Sequence, residues 1–223
     1  MEVVAMAVST YKYEATSVGG FLQQLAVAYL GHGYWFYVTG HVPEGKDPAA
    51  VDRKLVAKYE VGISKWARAR RKASGLANCQ YLRHGHFFVL LASHGRHPFF
   101  EGEAHFKDAR EEPIRFGGYS VSVKRGLDGR FHPSVRIHPD AYRELRAYFV
   151  DRATHRTVEA LSYELRRVPF EPYAPVRRQL LNILRAVNRA RKVAGLEVVA
   201  TSALRLSRKG VKPFAEPGLK EVA

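Results

Sequence analysis

The chain has 223 residues, with 36 Lys and Arg against 21 Asp and Glu, a formal charge of +15. A surplus of that size repels itself in a compact body and answers to a polyanion, with nucleic acid the leading candidate. With 46% hydrophobic and 12% aromatic residues the chain is no disordered basic tail, and a single cysteine, Cys79, excludes an intramolecular disulfide or a Cys-based zinc cluster.

In chain order, residues 3–8 form a short β-like stretch, and Ser17 is placed to cap a helix over 18–30 that ends at Gly31–Gly33. The aromatic and β-branched run YWFYVTG, 34–40, reads as a strand. Asp47 is a natural N-cap, and Pro48 suits a first helical turn because its missing N–H costs nothing there. Val51, Leu55, Tyr59, Ile63 and Trp66 then recur at helical spacing, so one helix is expected over 48–74 with Gly75 as its stop. Residues 79–93 read as one strand, apolar enough at 87–92 to be buried on both faces.

The polar stretch 94–113 is expected to be irregular. Residues 114–125 alternate like a strand, 124–129 turn, and 134–137 make another strand. Helical spacing resumes at Pro139 and runs to Leu165 with a break near Thr154–Thr157. The prolines of 169–175 make a stiff connector, and Pro175 opens a last helix with Val176, Leu180, Leu184 and Val187 inward and Gly195 as its stop. Residues 196–214 alternate like a strand around Leu204 and Leu206, and the end beyond Glu216 is expected to fray. This order predicts an α+β fold, an antiparallel sheet covered by helices with a helical basic C-terminal part. The proline connector suggests a core domain at 1–168 and a basic subdomain at 169–223.

The charge is concentrated. Lys54, Lys58, Lys65, Arg68 and Lys72 fall on one face of the helix expected at 48–74, with Arg71 beside them and only Asp52 and Glu60 opposing. Arg178, Arg185, Arg189 and Lys192 share one face of the last helix. A solvated helix face interleaves opposite charges at i,i+4, and these two do not. Arginine also forms forked bonds to phosphate oxygens that lysine cannot. The expectation is a nucleic-acid-binding protein gripping the backbone of DNA or RNA through two basic helices, alone or as a subunit of a ribonucleoprotein complex with a protein partner. Tyr34–Tyr37, Phe116 and Tyr119 are available for base stacking.

A second feature is Arg83-His84-Gly85-His86. On a strand, His84 and His86 project from one face and can hold a divalent cation such as Mg or Mn. Glu101, Glu103, Asp108, His94, His97 and His105 follow as sources of a third ligand. Here the chain resembles the HUH family of single-strand nucleases, which includes rolling-circle replication initiators and tyrosine transposases. The resemblance covers about 34–163, with Gly85 standing where the family has a hydrophobe. It implies a metal-dependent DNA endonuclease or transposase in which a tyrosine attacks the scissile phosphate. Tyr142, Tyr148 and Tyr163 are the available residues, and Tyr148 is nominated because Leu145 and Phe149 would hold its helix against the core. No phosphate-binding loop, dinucleotide fingerprint, H-E-x-x-H or C-x-x-C is present. The N-terminal residues lack the basic region of a signal peptide, and no apolar run approaches the ~20 residues of a membrane span. A cytoplasmic protein is expected.

Overall fold

A computed structural model describes residues 11–214. The β-like stretch expected at 3–8 and the fraying end past Glu216 lie outside them. Contacts divide the chain into two units: the first comprises residues up to 112, 123–133 and the chain from 211 on, the second 113–122 and 134–210. The connector at 169–175 falls inside the second unit.

The first unit is built on a four-stranded antiparallel sheet. Strands β1 (Phe36–His41), β2 (Cys79–His84), β3 (Phe87–Ala92) and β4 (Lys107–Asp108) lie in the order β2-β3-β1-β4. The single strand expected over 79–93 is instead a hairpin, with His84 paired to Phe87 across a two-residue turn. Gly85 opens that turn at φ +56, a conformation that a residue without Cβ adopts freely. Both faces of the hairpin are covered. Cys79, Tyr81, Leu90 and Ala92 pack with Tyr59, Val61 and Phe99 on one side, while Leu82, Val89 and Leu91 are fully buried on the other. Double-sided burial explains why the sequence reads as a continuous apolar run.

Helix α1 (Val18–Gln23) starts at Ser17, whose Oγ accepts from the Gly20 N–H, and widens into a π-type turn over Gln24–Tyr29. Its Phe21 ring meets Phe87 edge-on at 5.8 Å. The helix expected over 48–74 is two helices, α2 (Pro48–Lys58) and α3 (Lys65–Ala73). Tyr59 and Val61 are 1% and 0% exposed. Two positions apart on a helix, they would face some 200° apart and could not both enter one core. The chain unwinds instead, with Glu60 at φ +49, and restarts at Ser64, whose Oγ accepts from the Ala67 N–H. Asp47 caps α2 as expected, accepting from the Ala49 and Ala50 N–H groups. Between β3 and β4 the chain makes one short helix, α4 (Phe99–Gly102).

The second unit holds most of a three-stranded antiparallel sheet, β5 (Ile114–Phe116), β6 (Tyr119–Arg125) and β7 (Phe131–Ile137), in that order. The strand expected over 114–125 is a second hairpin. Phe116 pairs with Tyr119 across Gly117-Gly118, both at positive φ (+53 and +78), which is the two-residue turn that suits right-twisted strands. Helices α5 (Pro139–Arg152) and α6 (Val158–Arg166) flank the expected break. Helix α7 (Ala174–Val193) buries Val176, Leu180, Ile183, Leu184, Val187 and Arg191. After α7 no strand forms among the described residues. Asn188 occupies the Val199 backbone in both directions, and a short turn over Thr201–Ala203 satisfies the chain locally, so no ladder partner is needed. Both sheets being antiparallel, the fold is α+β. No helix among the described residues is long and apolar enough to cross a membrane.

Candidate nucleic-acid interface

Helix α3 carries KWARARRKA, with every residue at least partly exposed. Its end is set by Gly75 at φ +70, with the Gly75 N–H on Lys72 O and the Leu76 N–H on Arg71 O. The chain then pairs with the segment after β3: the Ala77 N–H donates to Arg96 O and the Arg96 N–H to Gly75 O. Gly95 is required at this crossing, because a Cβ there would lie 2.6 Å from the Ala77 nitrogen. Asn78 then ties α3 to the sheet by donating Nδ2–H to Arg68 O at 3.1 Å.

These links place α3 along a trough made of two pockets that share Lys72 and His94. The larger, about 700 Å³, has Phe36, Phe100 and Phe106 as apolar wall and Arg96 at its side. The smaller, about 380 Å³, is walled by Tyr34 and Trp35 and bordered by Arg68. No Asp or Glu among the described residues lines either pocket. The three Phe rings meet edge-on with centroids 5.1–5.9 Å apart. Trp35 is fixed by its Nε1–H bond to Leu30 O and by the Arg110 guanidinium 4.6 Å from its ring.

The basic face expected on one long helix is therefore rearranged. Lys54 and Lys58 are on α2, and Lys65, Arg68, Arg71 and Lys72 are on α3. Arg71 is paired with Glu60 at 2.6 Å and Lys58 with Glu103 at 3.8 Å. Arg68 spends one guanidinium N–H on Val61 O. Lys54, Lys65, Arg70 and Lys72 are exposed and in no ion pair among the described residues. Trp66, expected to face inward, is 78% exposed because the break at 59–64 resets the helix phase.

On α7 the expected face is as drawn. Arg178, Arg185, Arg189 and Lys192 are all exposed, opposite the buried stripe, and none is in an ion pair among the described residues. Arg185, Arg189 and Lys192 border a pocket of about 480 Å³ that likewise has no acidic residue among the described residues lining it.

The histidines do not share a strand face. His84 ends β2, its Nδ1 2.8 Å from Ala15 O, whereas His86 lies in the hairpin turn with Nδ1 3.1 Å from Val42 O. The strand-face geometry expected for a metal pair is thus absent, and the described residues contain no group of three or more His, Cys, Asp or Glu placed to hold a metal ion. Of the third-ligand candidates, Asp108 is engaged by Arg110, Glu103 by Tyr59 and Lys58, and His97 is buried beside Cys79. Burial pushes the Cys79 thiol up to about 12, so this pair holds no ready nucleophile. Tyr148 is 43% exposed, donates its hydroxyl to Glu164 at 3.0 Å and lies under the Arg152 guanidinium.

Comparison with family models, with curated proteins and with solved structures gives no match.

Proposed function

We propose that this protein binds nucleic acid through its phosphate backbone, using the cationic face of α7 in the second unit and that of α3 in the first. The observation that carries this reading is the lack of opposition on α7. Four cations stand exposed on one helix face with no carboxylate partner among the described residues, and α7 itself carries no Asp or Glu, whereas some cations elsewhere, Arg83 and Arg143 among them, are paired. Leaving four like charges unopposed is unfavourable in isolation and becomes favourable against a polyphosphate, where condensed counterions are released. DNA and RNA present the same backbone charge, so the reading covers either, including RNA within a nucleoprotein complex. The nicking alternative has no comparable support, since His84 and His86 are split between a strand end and a turn.

A salt series tests it. Affinity for a mixed-sequence oligonucleotide is expected to fall linearly in log–log form with salt, the four α7 cations alone giving a slope of about −3 to −4. Binding that is absent at low salt, or that ignores salt, rules the reading out.

A further inference from the structure

The trough of the first unit has an aromatic floor as well as a cationic rim, and we propose that it takes an unpaired nucleobase from a single strand while Arg68, Lys72 and Arg96 hold the neighbouring phosphates. This rests on the reading above and narrows it from polyphosphate in general to strands whose base faces are free.

The shape argues first. At about 700 Å³ the larger pocket falls within the roughly 300–1,000 Å³ of small-molecule sites, and Phe36, Phe100 and Phe106 make its wall apolar. A duplex offers phosphates and groove edges, its base faces being covered by stacked neighbours, so it can touch the rim but not enter. A flipped or unpaired base brings a flat π-face to those rings.

Charge argues next. The titratable groups lining the two pockets are His32, Tyr34, Arg68, Lys72, His94 and Arg96, with no carboxylate among the described residues there. The occupant that fits is flat and apolar inside and negative outside, which describes a nucleotide in a chain.

Unfinished polar chemistry argues third. Asn78, 5% exposed, lines the smaller pocket. Its Nδ2 bond to Arg68 O fixes which way the amide points, and this leaves Oδ1 without a partner. The Arg68 Nε–H is also unmatched. Buried polar atoms are nearly always satisfied in a working protein, so two orphans beside one pocket leave its wall with hydrogen-bonding capacity that no described residue meets.

The two tryptophans allow a direct test, because Trp66→Phe leaves Trp35, in the wall of the trough, as sole reporter. Four probes of one length are titrated at one salt concentration: single-stranded DNA, single-stranded RNA, a blunt duplex and an abasic phosphodiester. Single-stranded DNA, RNA or both are expected to quench Trp35 and to bind about tenfold tighter than duplex, whereas the duplex and abasic probes bind without quenching. Phe106→Leu, at a position 38% exposed, is expected to lower single-strand affinity about tenfold and leave duplex affinity unchanged, which also reports an intact fold. Equal affinity for all probes without quenching overturns the base pocket and leaves phosphate binding standing. Absence of salt-dependent binding to every probe overturns both.

Discussion

Arg189 and Arg191 stand two positions apart on α7 and face opposite ways. Arg189 is exposed and in no ion pair among the described residues, whereas Arg191 is 3% exposed and donates Nη1–H bonds to Ala153 O and Arg156 O at 2.7 and 2.8 Å. Its Nε–H reaches Glu197 O. One side chain belongs to the solvent-facing side of the helix, where nucleic acid is proposed to bind, and the other to its anchorage.

Replacing Arg185 and Arg189 together by Ala is expected to reduce the salt slope of nucleic-acid binding by about 2 and to weaken all sequences alike. Stability should stay within about 0.5 kcal/mol, since neither side chain is buried or paired to an acid. Binding isotherms across a salt series and a denaturant melt check the two halves.

Arg191→Ala is expected to do the reverse. Three backbone carbonyls at the ends of α5 and α7 lose their donor, which should cost about 3 kcal/mol in urea unfolding. An unchanged midpoint would show that the anchorage is dispensable.

Asp52 on α2 is 0% exposed and accepts from Arg83 Nε at 2.9 Å and from the Tyr81 hydroxyl at 2.6 Å. Burial drives its carboxyl above the ordinary value, and the bonds from Tyr81 and Arg83 draw it back only in part. Without Asp52 the buried Arg83 keeps only the exposed Glu14 carboxylate at 3.0 Å and Gly85 O, so Asp52→Asn should lose about 3 kcal/mol. The double variant Asp52→Leu/Arg83→Met removes both charges and should lose less, as measured by chemical denaturation.

His97 is held below its ordinary value first by burial and then by the charge of Arg71. Its Nδ1 accepts the Phe99 N–H at 3.0 Å, which requires the neutral ring. With a depressed folded value, its contribution is present above the unfolded value of about 6.5 and is lost as pH falls below it. His97→Asn should therefore flatten the decline in stability between about pH 7 and about pH 5. Melts at both pH values, with wild type as reference, decide this.

The Cys79 thiol, 2% exposed and pushed up to about 12 by burial, should resist a thiol-specific reagent at mildly alkaline pH in the native protein. It should react at once in denaturant. Rapid native labelling would mean that the β2–β3 face opens readily.

The α7 face was legible because twenty residues of unbroken helix let a 3.6-residue period declare both stripes. The α2–α3 break was not, because Val51, Leu55, Tyr59, Ile63 and Trp66 continue a period that burial of Val61 overrules. Gly62 and the lack of any large apolar residue in α3 except Trp66 were the available signals. Likewise Gly117-Gly118 between alternating segments is a hairpin signature that reading 114–125 as one strand passed over. Gly85 hides better, since a hairpin buried on both faces looks like one long strand. The trough has no motif at all. It draws on β1, α3, the turn after β3 and the segment around Phe106, and only folding brings these together.

The interleaving of the two units governs how the molecule can be dissected. A single fragment spanning 113–210 carries everything assigned to the second unit, whereas one ending at 112 drops 123–133. With it would go Phe131, 5.0 Å from Trp35, and the Val123 N–H that donates to Ala109 O. Gene truncation should thus spare the α7 half and expose the indole of the other, making the N-terminal piece the one prone to clump.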